Sequence, residues 1–221
     1  MIGLYGKNHP WFRKSWKKMI YLKRRMQYVS RTQKIMPDST TVVFQSFNGK
    51  TYGCSPKAIY EYMISHQEFK DWKYIWIFRD VAKYKYLEQN PHTRVIPKIA
   101  QIYEEELAHA KYWITNYRVP DHIWPKENQV YVQCWHGTPL KRLGYDLQTS
   151  ENAIDSIADI REKYDMDAKK FKYILSPSAF ASEKFTSAWN LKASGMEDKV
   201  MEVGYPRNDF LLNYKADDLK K

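Results

Sequence analysis

Residues 130–144 read Val130-Tyr131-Val132-Gln133-Cys134-Trp135-His136-Gly137-Thr138-Pro139-Leu140-Lys141-Arg142-Leu143-Gly144. The first three form an apolar, β-rich run that predicts a buried strand. The pattern then breaks into a loop holding His136, Gly137, Thr138 and Pro139. In α/β proteins, reactive side chains sit beyond the carboxyl ends of parallel strands. His136 is therefore the first candidate, because imidazole titrates near neutrality and suits proton transfer; the bland alternative is a histidine that holds a neighbouring strand. Gly137 removes a Cβ beside it and lets a ligand approach. Thr138 adds a hydroxyl. Lys141 and Arg142 are cations that face a phosphate or simply solvate the loop.

Working outward, the same alternation recurs. Thr40-Thr41-Val42-Val43-Phe44 predicts a strand, followed by the polar loop Ser46-Phe47-Asn48-Gly49-Lys50-Thr51. Pro56 opens a helix to about Ser65, with Ser55 as its expected N-cap. That loop reads as an anion site built from Ser46, Asn48 and Lys50, or as a plain strand–helix turn. Further strands are expected at Tyr74–Phe78, Arg94–Pro97, Tyr112–Asn116, Tyr173–Ser176 and Val200–Val203. Helices are expected from about Lys98 to His109, over residues 151–164 capped by Ser150, from Ser178 to about Asn190, and from residue 209 onward. Phe180, Phe185, Ala188 and Trp189 are expected to be buried. Asn116-Tyr117-Arg118 ends a strand and is a candidate substrate contact, as is Arg207. The segment Asp121–Pro125, with His122 and Trp124, reads as a surface loop, and Glu104-Glu105-Glu106 as a solvated helix face. Strands alternating with helices predict an α/β, Rossmann-like domain: a mostly parallel sheet with helices on both faces.

Four of these segments together resemble one family. Trp135-His136-Gly137-Thr138-Pro139-Leu140-Lys141 with Leu143-Gly144 is similar to the CDP-glycerol glycerophosphotransferases of teichoic acid synthesis. So are Phe44–Lys50 with Pro56–Tyr62, Ser176-Pro177-Ser178, and Gly204-Tyr205-Pro206-Arg207-Asn208-Asp209. The resemblance runs from about Thr41 to about Leu212. Family members commonly carry Glu at the position of Gln45, and Asp-Asn at Cys54-Ser55. The resemblance implies a GT-B arrangement of two such domains across a cleft, of which this chain resembles the N-terminal, acceptor-side half. It implies that His136 acts as the base for an acceptor hydroxyl, and that CDP-glycerol is the donor, bound through a second domain. A lipid-linked polyprenyl acceptor on the cytoplasmic face of a bacterial membrane is its implied partner. Whether glycerol or ribitol phosphate is carried stays open.

The chain of 221 residues is 43% hydrophobic and 16% aromatic, which excludes a disordered chain. Net charge is +11, but residues 1–34 carry ten of the cations and no acid, leaving only +1 on the rest. The expected organisation is a basic amphipathic arm at 1–36, a domain at 37–212 and a charged tail at 213–221. Within the arm, Phe12, Trp16, Met19, Leu22, Met26 and Val29 step by three or four and share a helix face. Arg13, Lys14, Lys17, Lys18, Arg24 and Arg25 lie mostly opposite, and Lys23 falls near the apolar face. This pattern fits an anionic membrane surface. A domain helix with a solvated basic face, or nucleic acid, are the alternatives, and no nucleic-acid motif accompanies the arm. Cys54 and Cys134 make neither a disulfide framework nor a zinc spacing, the histidines do not cluster, and no metal or cofactor is expected. No apolar run approaches a membrane span, and charges interrupt any signal-peptide core.

Overall fold

The computed structural model describes residues 10–149 and 155–212. Residues 1–9, the expected cap Ser150, the tail 213–221 and the side chain of Arg13 lie outside the described residues.

Among the described residues, seven strands form one all-parallel sheet in the order β3-β2-β1-β4-β5-β6-β7. They are β1 (Asp38–Gln45), β2 (Lys73–Phe78), β3 (Thr93–Pro97), β4 (Ala110–Thr115), β5 (Val130–Gln133), β6 (Tyr173–Ser176) and β7 (Val200–Glu202). The helices are α1 (Pro10–Thr32), α2 (Cys54–Ser65), α3 (Ala100–His109), α4 (Ile157–Lys170), α5 (Ala179–Ala188) and α6 (Asp209–Leu212). The order reverses between β1 and β4. The expected α/β class and all seven expected strands are present, with ends differing by one or two residues.

The central strands are buried on both faces, so they read as continuous apolar runs, while the edge strand β7 is largely exposed. Alternation sends Val42, Phe44, Tyr74, Trp76 and Phe78 to one face and Val43, Ile75 and Ile77 to the other. The first face is an aromatic stack: Phe44 and Trp76 rings are 5.2 Å apart, Trp76 and Phe78 5.4 Å, and Phe78 and Tyr84 4.0 Å. Tyr60 and Met63 of α2 close it. The second face is covered by Tyr103 and Leu107 of α3, Tyr164 and Ala168 of α4, Ala181 and Phe185 of α5, and Tyr28 of α1.

Four local expectations need correction. Helix α2 begins at Cys54, whose φ is 60°, with Gly53 at the cap and no side-chain cap bond; Ser55 sits inside the helix, fully buried. Helix α4 starts six residues later than expected, capped by Ser156, whose side chain accepts from Asp159 N while Asp159 bonds back. Phe180 is exposed, because α5 packs through Ala181, Phe185 and Ala188. Glu104 and His122 are not on the surface. Glu104 is only 5% exposed and accepts from Arg31 Nη1 at 2.8 Å, while His122 Nε2 lies 3.0 Å from its other oxygen. Burial lowers the pKa of His122 more than the Glu104 carboxylate raises it.

That cluster explains the pose of α1. The helix docks through its polar and aromatic side. Tyr28 donates to Trp124 O at 3.1 Å, Arg25 to His122 O at 3.2 Å, and Lys17 Nζ lies 3.2 Å from Asp155. Tyr28 and Thr32 are buried. The apolar stripe is turned outward instead: Trp16, Met19, Leu22, Met26 and Val29 are all exposed, Met26 at 66%. The stripe and the docked face lie on opposite sides of the helical wheel, at about 3.6 residues per turn. No helix among the described residues is long and apolar enough to cross a membrane.

Candidate active site

In open parallel sheets, ligands bind outside the carboxyl ends of the strands where the order reverses. The loops after β1, β2, β4 and β5 meet there around a cavity of about 400 Å³. Phe47, Asn48, Lys50 and Thr51 line it from the β1 loop, Arg79 from β2, Tyr117 from β4 and His136 from β5.

The position of His136 is built from below. The Cys134 amide donates to Thr115 O at 2.7 Å, extending the ladder beyond β5. Trp135 then turns left-handed, φ 49°, with its N–H donating to Gln133 Oε1 at 3.0 Å. Gln133 Nε2 donates in turn to the Tyr131 hydroxyl at 2.9 Å. The Trp135 ring stacks on the imidazole at 4.3 Å and 21°, and stands edge-on to Trp189 at 4.9 Å. Trp189 Nε1 donates to the buried Asp167 at 3.0 Å. Burial raises the Asp167 pKa to about 6, against the pull of Arg118 and the Trp189 bond. Phe47 approaches the imidazole from the β1 loop at 6.2 Å. His136 itself is exposed to the crevice. Desolvation by its neighbours lowers its pKa and the Arg207 guanidinium lowers it further. The imidazole is therefore neutral at neutral pH and able to accept a proton.

Backbone strain concentrates at this edge. Phe47, Asn48, Cys54 and Trp135 are four of the five described non-glycine residues with positive φ. Each such residue costs about 1–3 kcal/mol and persists where the surroundings over-determine it. Gly49 is required by its surroundings: its φ is 78°, and a Cβ would lie 3.2 Å from Ile77 O and 3.3 Å from Arg79 N. Its carbonyl accepts from Arg79 N at 2.7 Å, which fixes the β1 loop over β2.

The structure divides the expected site residues. His136, Asn48 and Lys50 line the crevice. Arg207 is not in that lining, but from the turn Pro206–Asn208 its charge acts on His136, with its guanidinium 4.1 Å over the Tyr205 ring and Nη1 donating to Cys54 Sγ at 3.2 Å. Thr138 is exposed and faces the Tyr205 hydroxyl. Gly137 does not have a left-handed φ, and a Cβ there would meet open space, so the fold itself does not demand glycine. Ser46 and Asn116 are fully buried, which corrects the expectation of direct contact. Ser46 Oγ donates to Gly53 O at 2.6 Å, and Asn116 Oδ1 accepts from Phe47 N at 2.7 Å, so both position the β1 loop. Lys141 and Arg142 do not reach the crevice. They line a separate groove of about 410 Å³ with Phe180, Lys184 and Ser187. The cause is Gly144, φ 49°, wedged against α4 and the end of α5 so tightly that a Cβ would sit 2.2 Å from Ala188 O. It draws the chain toward those helices.

Sequence reading missed Arg79, although the first residue after an interior strand is a position that reaches such a crevice. It also missed the Trp189–Asp167 support, which no local pattern announces.

The family profile described as CDP-glycerol:poly(glycerophosphate) glycerophosphotransferase matches residues 28–221. A teichoic acid poly(glycerol phosphate) polymerase of Staphylococcus epidermidis is 36% identical over 184 residues, covering 80% of this chain and 23% of the relative. A teichoic acid glycerol-phosphate transferase of Staphylococcus aureus is 31% identical over 183 residues, covering 82% and 44%. Among solved structures, the wall teichoic acid polymerase TagF superposes with a TM-score of 0.74 at 28% identity, covering 99% of this chain and 51% of that one. A histidine-to-asparagine variant of TagF soaked with CDPG gives 0.76 at 30% identity, with 99% and 51% covered. The chain thus spans less than half the length of these curated relatives and about half of TagF. By sequence and by fold it belongs to the CDP-glycerol:poly(glycerophosphate) glycerophosphotransferase family.

Proposed function

We propose that this chain is the acceptor-side half of a glycerophosphotransferase, working with a GT-B-type donor half that binds CDP-glycerol. The observation that carries the reading is His136. It stands at the sheet's reversal point, on the Trp135–Trp189 support, with its pKa lowered. In the reaction, an acceptor hydroxyl oxygen bonds to the glycerol-bearing phosphorus of CDP-glycerol. The bond from that phosphorus to the bridging oxygen breaks and CMP leaves, while the hydroxyl proton passes to His136 Nε2 or Nδ1. Positioning and charge stabilisation carry most of a phosphoryl transfer, and Arg207 is the cation nearest that role. Asn48 and Lys50 bind the incoming group, with Ser46 and Asn116 holding their loop. Gly137, free of any internal demand for glycine, gives the substrate room. Thr138 offers a hydroxyl at the rim. Lys141 and Arg142 contact the donor half or its phosphates from the neighbouring groove. No cofactor takes part.

The acceptor is proposed to be lipid-linked and held at the cytoplasmic face of the membrane. The exposed stripe of α1, rimmed by Lys14, Lys18 and Lys23, supports peripheral attachment to an anionic surface. The same stripe supports a second reading, a membrane-surface module that binds the lipid-linked intermediate without turnover. CMP release from CDP-glycerol separates the two. With a lipid-linked acceptor and a donor half supplied, the first reading expects release that is lost in His136→Ala while acceptor binding is kept. Release by this chain alone would show that no donor half is needed. Absence of release with any donor half, with vesicle binding intact, would favour the module.

A further inference from the structure

The crevice does not end at Tyr117. A second cavity of about 630 Å³ shares Asn48 and Tyr117 with it and runs under α1. Together they make one trough from His136 to the first half of α1. Seven cations among the described residues line it. Two of them, Lys17 and Lys163, bond to Asp155 at the far end. The other five, Arg24, Lys50, Arg79, Lys98 and Arg118, have no carboxylate at ion-pair distance among the described residues. Asp121 is the remaining acid among the described lining residues.

Arg24, Lys50 and Arg79 are exposed and Lys98 and Arg118 half-buried; Arg79, Lys98 and Arg118 are held in place by the fold. Arg79 is pinned by its backbone N–H to Gly49 O and by Nε to Asn48 O at 3.0 Å, and it lines the trough. Lys98 is fixed by its amide to Phe78 O at 2.8 Å, and its ammonium lies 5.4 Å from the centre of the Tyr103 ring. Its pKa falls to about 8, through burial and the Arg79 charge beside it. Arg118 lies 4.9 Å over the Tyr164 ring, and its Nη1 is buried without a hydrogen-bond partner among the described residues. The half-buried Lys98 ammonium beside the Arg79 guanidinium, and the Arg118 Nη1 buried without a hydrogen-bond partner among the described residues, raise the energy of the trough when no anion is bound, although Asp167 offsets part of the Arg118 charge. An anion with several acceptor oxygens removes that cost.

Resting on the reading of this chain as an acceptor-side half, we propose that this trough is the track for successive phosphates of the acceptor, with Arg79, Lys98 and Arg118 as binding residues. A chain of phosphodiesters then lies from α1 to the crevice and presents its terminal hydroxyl to His136. The spacing of cations along one groove suits a multi-phosphate ligand better than a single phosphate, since one group reaches only part of it.

The test is binding of a synthetic glycerol-phosphate trimer to the full chain, measured by calorimetry beside glycerol 3-phosphate, inorganic phosphate and phosphatidylglycerol vesicles. Arg79→Gln with Lys98→Met, and Lys98→Met alone, are compared with wild type after circular dichroism confirms an unchanged fold. The expected result is trimer binding well above that of either monophosphate, about tenfold weaker in the double variant, with a flatter salt dependence. Vesicle binding is expected to be unchanged. Trimer binding equal in wild type and both variants overturns the track but leaves the proposed function standing. Loss of vesicle binding instead of trimer binding assigns the cations to lipid headgroups and overturns it as well. No trimer binding by wild type, in a preparation whose His136-dependent CMP release is intact, overturns the track alone. No trimer binding together with no release overturns both.

Discussion

The loop after β5 and the helix α1 are both built from tryptophans, cations and apolar residues, yet they fold in opposite senses. In the loop, Trp135 goes inward onto Trp189 and lifts His136 into the crevice. In α1, Trp16, Met19 and Met26 face outward while Tyr28, Arg25 and Arg31 hold the helix down. The difference lies in what each segment meets. The loop meets an apolar pocket under α5. Helix α1 meets the rim of loops 119–126 and α3, where backbone carbonyls and Glu104 need donors, so its polar side wins the contact. Residue type alone does not choose the buried face; the partner surface does.

The largest expected effect breaks the loop side of that comparison. Replacing His136 by Ala should lower turnover by about 10²–10⁴-fold, the usual weight of a general base, with little change in thermal stability. CMP release with the donor half supplied measures it. Next is Trp189→Ala, which empties a fully buried site and strips Asp167 of its donor. A loss of about 3–5 kcal/mol is expected in chemical denaturation, with turnover falling too as Trp135 loses its support. Trp189→Phe should recover much of the stability, because it keeps most of the packing.

Smaller effects test the helix side. Glu104→Ala leaves Arg31 without its carboxylate and His122 without its acceptor. It should cost about 1–3 kcal/mol and speed hydrogen exchange in α1. Met19→Ser with Met26→Ser should change stability by less than about 0.5 kcal/mol, as for exposed positions generally, while weakening binding to anionic vesicles. A large loss of stability from that pair would mean that the stripe packs on protein and that the contrast drawn above is false.

Much of this was legible in the chain. The seven strands are apolar runs with strong β character, and no other element competes for them. His136 stands out because a strand pattern stops immediately before it. The cap of α4 was also written there: Ser156 and Asp159 have capping-box spacing, whereas Ser150 has Ala153 in the partner position. What was not legible depends on contacts far apart in sequence. Glu104 looks like one of three solvated acids until Arg31 and His122 arrive from segments 73 and 18 residues away. Lys141 and Arg142 look like partners of His136 until Gly144 is found pinned to Tyr164 and Ala188. The strained start of α2 at Cys54 has no sequence signature, since nothing about cysteine favours φ 60°.

The most direct check on the central claim, that His136 is the base in this crevice, is the pH dependence of turnover. Burial and Arg207 lower its pKa, so the free base persists to a more acidic pH than an ordinary imidazole, whose pKa is about 6.5. The account predicts an acid limb of kcat/KM centred below that value, lost along with activity in His136→Ala and moved upward when Arg207 is replaced by Gln. An acid limb at or above the ordinary imidazole value, or one that survives unchanged in His136→Ala, would contradict it.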